Sequence, residues 1–195
     1  MNTASHILIG AAILGRPSIP AITLGAMAGG LVPDLPMFAM VMWSTLVLGL
    51  PGEVVFGQLY FSEIWQTVFS IDHGFLVWGG LFAFAVCKNL AVLHAFAGAG
   101  LLHALVDFLT HHDDARSQFW PLSNWVFNSP VSYWDVGHYG AIFALFEVGV
   151  VILLSTLLFL RLQRIWERAL ILIIAATVIV PYILTGNLHG MSGMG

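Results

Sequence analysis

The chain has little charge, and this excludes an ordinary soluble domain. Only 8% of its 195 residues are Asp, Glu, Lys or Arg, whereas 59% are hydrophobic and the mean hydropathy is +0.92. About a quarter of the residues of a typical soluble domain are charged. We therefore predict an integral membrane protein. Its 6 Lys and Arg residues and net charge of −4 offer no basic surface, so we expect no nucleic-acid partner.

Cysteine is almost absent as well. The single cysteine, Cys87, lies in an apolar run and can form no internal disulfide. A structural zinc site built from thiolates needs several cysteines. A metal site in this chain is therefore to be sought among its histidines and carboxylates.

Long apolar runs fill most of the sequence and predict the fold. They fall at about residues 5–15, 21–33, 36–50, 54–71, 73–87, 90–110, 141–160 and 169–184. A full span needs about 20 residues, so the first two runs are too short, and Arg16, Pro17 and Pro20 separate them. We predict an all-α fold, a polytopic membrane helix bundle of about six transmembrane helices plus an N-terminal broken helix or half-helix hairpin. Residues 1–195 form a single integral-membrane domain, with the aromatic-rich segment 111–140 as an interfacial cap loop.

The strongest chemical signal begins at His103. His103 and Asp107 are one helical turn apart, so an imidazole and a carboxylate share a helix face. Four more ionisable residues follow directly: His111, His112, Asp113 and Asp114. Ionisable groups within apolar helices are costly and are usually functional. This pattern predicts a metal site, and the alternative is a buried polar pair that joins two helices.

The order of the runs predicts that further polar residues join this site. If each main run crosses the membrane once, the following residues meet at one face: His6, Asp34, the Asp72–His73 pair and residues 103–114. Asp34 and Asp72 could alternatively serve only as helix caps. The opposite face receives five of the six basic residues, Arg16, Lys88, Arg161, Arg164 and Arg168. Because short basic loops mark the cytoplasmic side, we predict that the site lies at the extracytoplasmic face.

Imidazole nitrogens and carboxylate oxygens suit zinc best, with manganese and iron as alternatives. Such an ion lowers the pKa of a bound water to about 7 and provides hydroxide near neutral pH. The candidate ligands outnumber the needs of a single ion, so we expect one or two. A carboxylate such as Asp107 would bridge a pair of ions about 3.5–4 Å apart.

Four short motifs occur in order along residues 5 to about 123: Ser5-His6, Val32-Pro33-Asp34, Asp72-His73-Gly74, and the stretch from Leu102 to Pro121 that contains His103 and Asp107. Together they resemble the LexA-binding, inner-membrane-associated metal-dependent hydrolases. The order of the motifs is also similar to that of the zinc-dependent phospholipases C. The resemblance implies a protein of the bacterial inner membrane with these metal ligands: His6, Asp34, His73, His103, Asp107 and His111.

We therefore predict a metal-dependent hydrolase in which activated water attacks an ester, with a phosphoester of a lipid or lipid-linked substrate as the first choice. Asp113 and Asp114 are candidates for the catalytic base, and Arg116 is a candidate phosphate partner. The alternative is a divalent metal-ion transporter or channel that uses the same site. It predicts polar residues that continue through the bundle, for which the candidates are Glu63, His94 and Glu147. A haem protein is disfavoured because carboxylates are poor haem ligands.

Overall fold

The computed structural model describes residues 1–185, and all regular structure in that part of the chain is helical. The α-helices are α1 (Thr3–Leu14), α2 (Pro20–Leu31), α3 (Leu35–Met42), α4 (Gly52–Val54), α5 (Glu63–Asp72), α6 (Phe75–Cys87), α7 (Ala91–Thr110), α8 (Gly140–Arg161) and α9 (Ile165–Thr185). Short 3-10 turns occur at Val32–Asp34 and Val136–His138, and π-helical turns at Trp43–Val47 and Val55–Leu59. The predicted all-α fold is confirmed.

Five helical segments of residues 1–185 are long and apolar enough to cross a membrane: Pro20–Val47, Glu63–Cys87, Ala91–Thr110, Gly140–Arg161 and Ile165–Leu184. The helical membrane bundle is confirmed, with five spans where about six were expected and with the short α1 before them. The number of spans differs for two reasons. The runs 21–33 and 36–50 join into one span, and only the last part of the segment 54–71 enters the span Glu63–Cys87. The premise that residues 36–50 and 54–71 each cross the membrane once was wrong.

Two of these spans are interrupted near their middles, and each interruption carries a site residue. Between α2 and α3, Pro33 and Pro36 occupy the first positions of a 3-10 turn and of α3, where a missing N–H does not end the helix. Between α5 and α6, Gly74 is extended. Irregular backbone at membrane depth is tolerated where protein surrounds it. The interruptions place Asp34 and His73 inside the bundle, where both are buried.

Helices α1 and α2 pack on each other and on α7 through small residues, but α2 belongs to the span Pro20–Val47, so the expected pair of half-helices is reduced to the short α1. A Cβ atom on Gly29 would lie 1.9 Å from the backbone oxygen of Phe96 in α7, and one on Gly30 would lie 2.6 Å from the carbonyl oxygen of His6. Only glycine permits backbones to approach this closely. These contacts bring α1, α2 and α7 together beside the candidate site.

The length of α7 locates the site within the thickness of the bundle. At about 1.5 Å per residue, His103 lies about 18 Å and Asp107 about 24 Å from the first residue of the helix. The whole helix is about 30 Å long. The site therefore lies in the half of the bundle nearer the end of α7.

Residues 111–139, called the cap below, connect α7 to α8 and contain only one short 3-10 turn. Backbone hydrogen bonds join its two ends, from Ser129 N to His111 O at 3.0 Å and from Tyr133 N to Thr110 O at 2.9 Å. Asp114 and Arg116, which belong to the cap, are buried. The cap therefore covers the end of α7 that carries the candidate site, and its position at the membrane interface stays a prediction.

Candidate metal centre

Four buried side chains bring their ligand atoms together inside the bundle: Asp34, His73, His103 and Asp107. One ligand atom from each lies within 4.8 Å of all the others. Asp34 comes from the break between α2 and α3, His73 from the break between α5 and α6, and the other two from one face of α7. The predicted convergence of these segments is confirmed.

The two imidazoles and the two carboxylates alternate around a common point. His73 Nε2 is 3.5 Å from Asp34 Oδ1 and 3.4 Å from Asp107 Oδ2. His103 Nε2 is 3.5 Å from Asp34 Oδ1 and 3.3 Å from Asp107 Oδ2. Each nitrogen thus faces two oxygens at distances longer than a normal hydrogen bond.

Hydrogen bonds on the far side of each ring decide which nitrogen carries the proton. His103 Nδ1 donates to the carbonyl oxygen of Gly30 at 2.9 Å, and His73 Nδ1 is hydrogen-bonded to the carboxylate of Asp72. In a neutral ring the Nε2 atom is then a bare acceptor. Both Nε2 atoms are buried and have no hydrogen-bond partner among the described residues. Two bare Nε2 atoms that face two carboxylates need a cation between them. In metal-bound histidines, the ring nitrogen that does not bind the metal is typically hydrogen-bonded to a carboxylate or a carbonyl, as Nδ1 is here.

Asp107 presents its other oxygen to a second group of side chains. Its Oδ1 atom is 2.9 Å from His6 Nε2, 3.3 Å from His111 Nε2 and 3.1 Å from the α-amino group of Met1. The His6 ring stacks on that of His103 with centroids 3.7 Å apart. The structure therefore brings His6 and His111 to the centre, where they face one oxygen of Asp107 while His73 and His103 face the other.

Asp114 and Arg116 lie buried beside the second group. Asp114 Oδ2 is 2.9 Å from His111 Nδ1. Burial raises the pKa of Asp114, but the charges of His111 and Arg116 and the hydrogen bond from His111 outweigh burial and hold its pKa below the ordinary value. Asp114 is therefore an ionised carboxylate that orients His111.

Arg116 points its guanidinium group towards the centre. It donates to Asp107 Oδ2 at 3.4 Å and to the Tyr60 hydroxyl at 3.2 Å, and it lies 5.1 Å from the centroid of the Phe69 ring. Burial lowers the pKa of Arg116, but Tyr60 and the nearby carboxylates raise it above its ordinary value. Its buried Nε has no hydrogen-bond partner within residues 1–185. A charged donor therefore remains available next to the centre.

Asp113, which the sequence offered as a candidate catalytic base, lies outside the centre. Its side chain is 59% exposed and is 3.5 Å from His112 Nε2, and neither residue lines the cavity that opens on the centre. In the loop after α7, His111 and Asp114 turn inwards while His112 and Asp113 turn outwards.

That cavity has a volume of about 210 Å³. Its lining combines charged groups of the centre and cap with two apolar side chains of α3: Asp34, Asp107, His111, Arg116, Met37 and Phe38, with Tyr133 and the first three residues of the chain. Phe38 is exposed on the outer surface of the bundle. The cavity therefore connects the centre to a surface that is partly apolar.

Three contacts around the centre involve residues that the sequence analysis did not single out. The Thr3 hydroxyl donates to Asp34, Gly30 supplies the carbonyl for His103, and Tyr60 accepts from Arg116. Thr3 is one helical turn from His6, and that spacing was an available signal. A backbone carbonyl and a tyrosine in an apolar segment carry no sequence pattern that indicates this use.

Glu147 of α8 is fully buried and holds the start of α1. Its carboxylate accepts hydrogen bonds from the backbone N–H of Asn2 at 2.8 Å, from the Asn2 side-chain amide at 2.9 Å and from the Ser5 hydroxyl at 2.6 Å. The sequence left open whether Glu147 is hydrogen-bonded or part of a polar path. The structure shows the hydrogen-bonded arrangement, which anchors the helix that carries His6.

Comparison of the chain with models of known protein families, with curated proteins and with solved structures finds no match. The family resemblance of the motifs therefore stays an expectation. We infer the function from the geometry of the centre, from the cavity and from the membrane-spanning helices.

Proposed function

We propose that this protein is a membrane-embedded metal-dependent hydrolase that cleaves a phosphoester of a lipid or lipid-linked substrate. The observation that carries the proposal is the pair of bare Nε2 atoms, on His73 and His103, that face the carboxylates of Asp34 and Asp107. A divalent ion held there would acidify a water ligand and so supply a nucleophile near neutral pH.

The set of ligand atoms favours zinc. Imidazole nitrogens and carboxylate oxygens bind zinc through bonds of about 2.0–2.2 Å. The four separations between nitrogen and oxygen, 3.3–3.5 Å, leave room for one ion between these atoms. A catalytic zinc keeps a position for water, so the water would displace one of the four side chains or add as a fifth ligand. Manganese and iron remain the alternatives to be tested by elemental analysis.

The two oxygens of Asp107 support a pair of ions. Oδ2 faces His73 and His103, whereas Oδ1 faces His6 and His111. One carboxylate thus serves two ligand groups, which is the arrangement of bridged two-ion sites. His111 would complete the second group, with its ring held in place by Asp114.

Arg116 supports a phosphoester as the substrate. Its guanidinium group is fully charged, lines the cavity and keeps an unpartnered Nε–H within the described part of the chain. Guanidinium groups bind phosphate oxygens through charge-assisted hydrogen bonds. Arg116 would orient the phosphoryl group and stabilise the charge that develops on it.

The walls of the cavity support a lipid. Met37 and Phe38 form its apolar side, and Phe38 is exposed on the surface of a membrane-spanning segment. A volume of about 210 Å³ holds a small headgroup and leaves no room for long hydrocarbon chains. The headgroup would enter beneath the cap while the chains stay outside α3.

A metal transporter is the alternative function. The polar residues that the sequence offered for an ion path through the bundle give it little support. Glu147 is engaged with α1, Glu63 is exposed, and His94 lines a separate cavity together with Arg16. These residues do not form a line of ligands that leads away from the centre. The hydrolase explains the buried cluster, the arginine and the cavity together.

Purified protein loaded with zinc tests the proposal. In detergent, without a gradient, it should hydrolyse at least one member of a panel of lipid phosphoesters and activated phosphoesters, and Asp107→Asn should abolish turnover. His94→Gln, which changes a histidine of α7 outside the centre, should keep full activity. Zinc flux into proteoliposomes, blocked by Asp107→Asn, with no turnover of phosphoesters, carboxylic esters or amides would replace the hydrolase by a transporter.

We also propose that the centre opens on the extracytoplasmic side of the bacterial inner membrane. Single cysteines at Leu122 in the cap and at Gln163 between α8 and α9 are exposed positions for an impermeant thiol reagent, in a Cys87→Ala background. The first should be labelled from outside the cell and the second only from the cytoplasm. The opposite pattern would place the centre on the cytoplasmic side.

A further inference from the structure

A second group of histidine and aspartate side chains lies on the outer side of the cap, apart from the buried centre. His112 and Asp113 come directly after α7, and Asp135 and His138 come directly before α8. Asp113, Asp135 and His138 each place a ligand atom within 4.8 Å of the other two. None of these side chains lines the cavity of the centre.

The contacts within this group set up two carboxylates and one imidazole as ligands. Asp135 accepts from the backbone N–H of Gly137 at 2.8 Å and is 2.5 Å from His138 Nδ1. Asp113 has no Lys or Arg partner in residues 1–185. Two carboxylates this close repel each other unless positive charge lies between them.

His112 holds the imidazole ring of His138 in place. Its Nδ1 donates to the carbonyl oxygen of Ser129 at 2.6 Å, and its ring stacks on that of His138 with centroids 3.5 Å apart and planes at 22°. Nearly parallel rings cannot both direct a lone pair at the same ion. His112 therefore orients His138 and is itself held by Ser129 of the cap.

We propose that Asp113, Asp135 and His138 form a second divalent-cation site, of the zinc class, that ties the two ends of the cap together. Two oxygens and one nitrogen leave a coordination position for water. The ion would take the place of the hydrogen-bonding proton between His138 and Asp135. Because the side chains of Asp113, Asp135 and His138 are 59%, 26% and 35% exposed, this ion exchanges faster than one in the buried centre.

The site has a direct connection to the centre along the chain. Asp113 precedes Asp114, which holds His111 at 2.9 Å. An ion that joins Asp113 to Asp135 and His138 closes the segment between them and restrains Asp114. The cap would therefore be more ordered with the ion than without it.

Equilibrium dialysis of the detergent-solubilised protein against buffered free zinc tests the site. In a His103→Ala background, which removes a ligand of the buried centre, the further addition of His138→Gln or Asp113→Asn should remove one equivalent of zinc. His94→Gln in the same background should leave it bound. In otherwise wild-type protein, His138→Gln should remove one rapidly exchanging equivalent and speed proteolysis of the cap at high zinc.

Equal zinc stoichiometry in the wild type and in the His138→Gln and Asp113→Asn variants, at every free zinc concentration, would overturn the proposal and leave the cluster as hydrogen bonds alone. The wild-type comparison decides the question if His103→Ala does not fold. The site does not depend on the proposed hydrolysis, so loss of hydrolytic activity has no bearing on this result.

Discussion

Replacement of Glu147 by alanine should loosen the end of α1 that carries His6. The carboxylate of Glu147 is fully buried and accepts three hydrogen bonds from Asn2 and Ser5. Alanine would leave the backbone N–H of Asn2, its side-chain amide and the Ser5 hydroxyl without this acceptor. Because α1 is only 12 residues long, its start depends on this contact with α8.

The number of hydrogen bonds lost sets the size of the destabilisation. Hydrogen bonds between helices in a membrane contribute about 0.6–1.7 kcal/mol each, so the loss of all three should cost about 2–5 kcal/mol. Glu147→Gln keeps one carbonyl oxygen for the Asn2 N–H and the Ser5 hydroxyl, and rotation of the Asn2 amide lets it accept from the new NH2 group. We therefore expect a cost of about 1 kcal/mol for glutamine.

Thermal unfolding in detergent, followed by tryptophan fluorescence, ranks the variants by their unfolding temperatures. Glu147→Ala should unfold at the lowest temperature and retain the least zinc after dialysis, and Glu147→Gln should lie close to the wild type. Leu153→Ala is the matched control, because Leu153 lies on the same helix with 58% of its surface exposed.

Equal unfolding temperatures for Glu147→Ala, Glu147→Gln and the wild type would refute this reasoning, because a carboxylate that holds α1 cannot be removed at no cost. The glutamine variant also bears on transport. If it abolished zinc flux and left stability unchanged, Glu147 would belong to a transport path rather than to an anchor.

His103→Ala should lose most of the metal of the buried centre in elemental analysis, and His94→Ala should keep it; equal metal contents would contradict the assignment. Gly29→Ala should cost about 1–3 kcal/mol through overpacking, because its Cβ would meet a backbone oxygen at 1.9 Å, whereas Gly79→Ala has nothing within 4 Å of its Cβ. Identical melting of the two alanine variants would argue against the contact between α2 and α7. The pKa of Asp114 is lowered, so its stabilising effect is present above the unfolded pKa of about 3.9 and is lost as pH falls through the folded pKa. The difference in melting temperature between the wild type and Asp114→Asn should therefore be full at pH 7 and shrink below about pH 4; a constant difference would contradict the contact between Asp114 and His111.

The chain was most predictable where short-range periodicity carries the information. His103 and Asp107 share a face of any helix that contains both, so their pairing followed from spacing alone. The all-α membrane bundle followed from apolar runs that no soluble fold could bury. The number of spans did not follow, because Pro33 and Pro36 have the pattern of a helix break, whereas the structure accommodates them at the first positions of a turn and a helix.

The cap shows the limit of this reasoning. His111, His112, Asp113 and Asp114 are adjacent and chemically similar, yet the first and last are buried at the centre and the middle two are directed outwards. An irregular loop has no repeat from which the direction of a side chain can be read. Hydrogen bonds from Ser129 and Tyr133 to the end of α7 set these directions, and they come from residues far along the chain.

By itself, the sequence determined that the protein lies in a membrane, that its helices carry an unusual set of histidines and aspartates, and that two of these share a helix face. Only the tertiary structure decided that His6, Asp34 and His73 reach the same point. The reason is physical: a glycine contact sets the approach of α1, α2 and α7, and two interruptions within spans turn Asp34 and His73 inwards. Such placements depend on how helices pack, which local spacing does not encode.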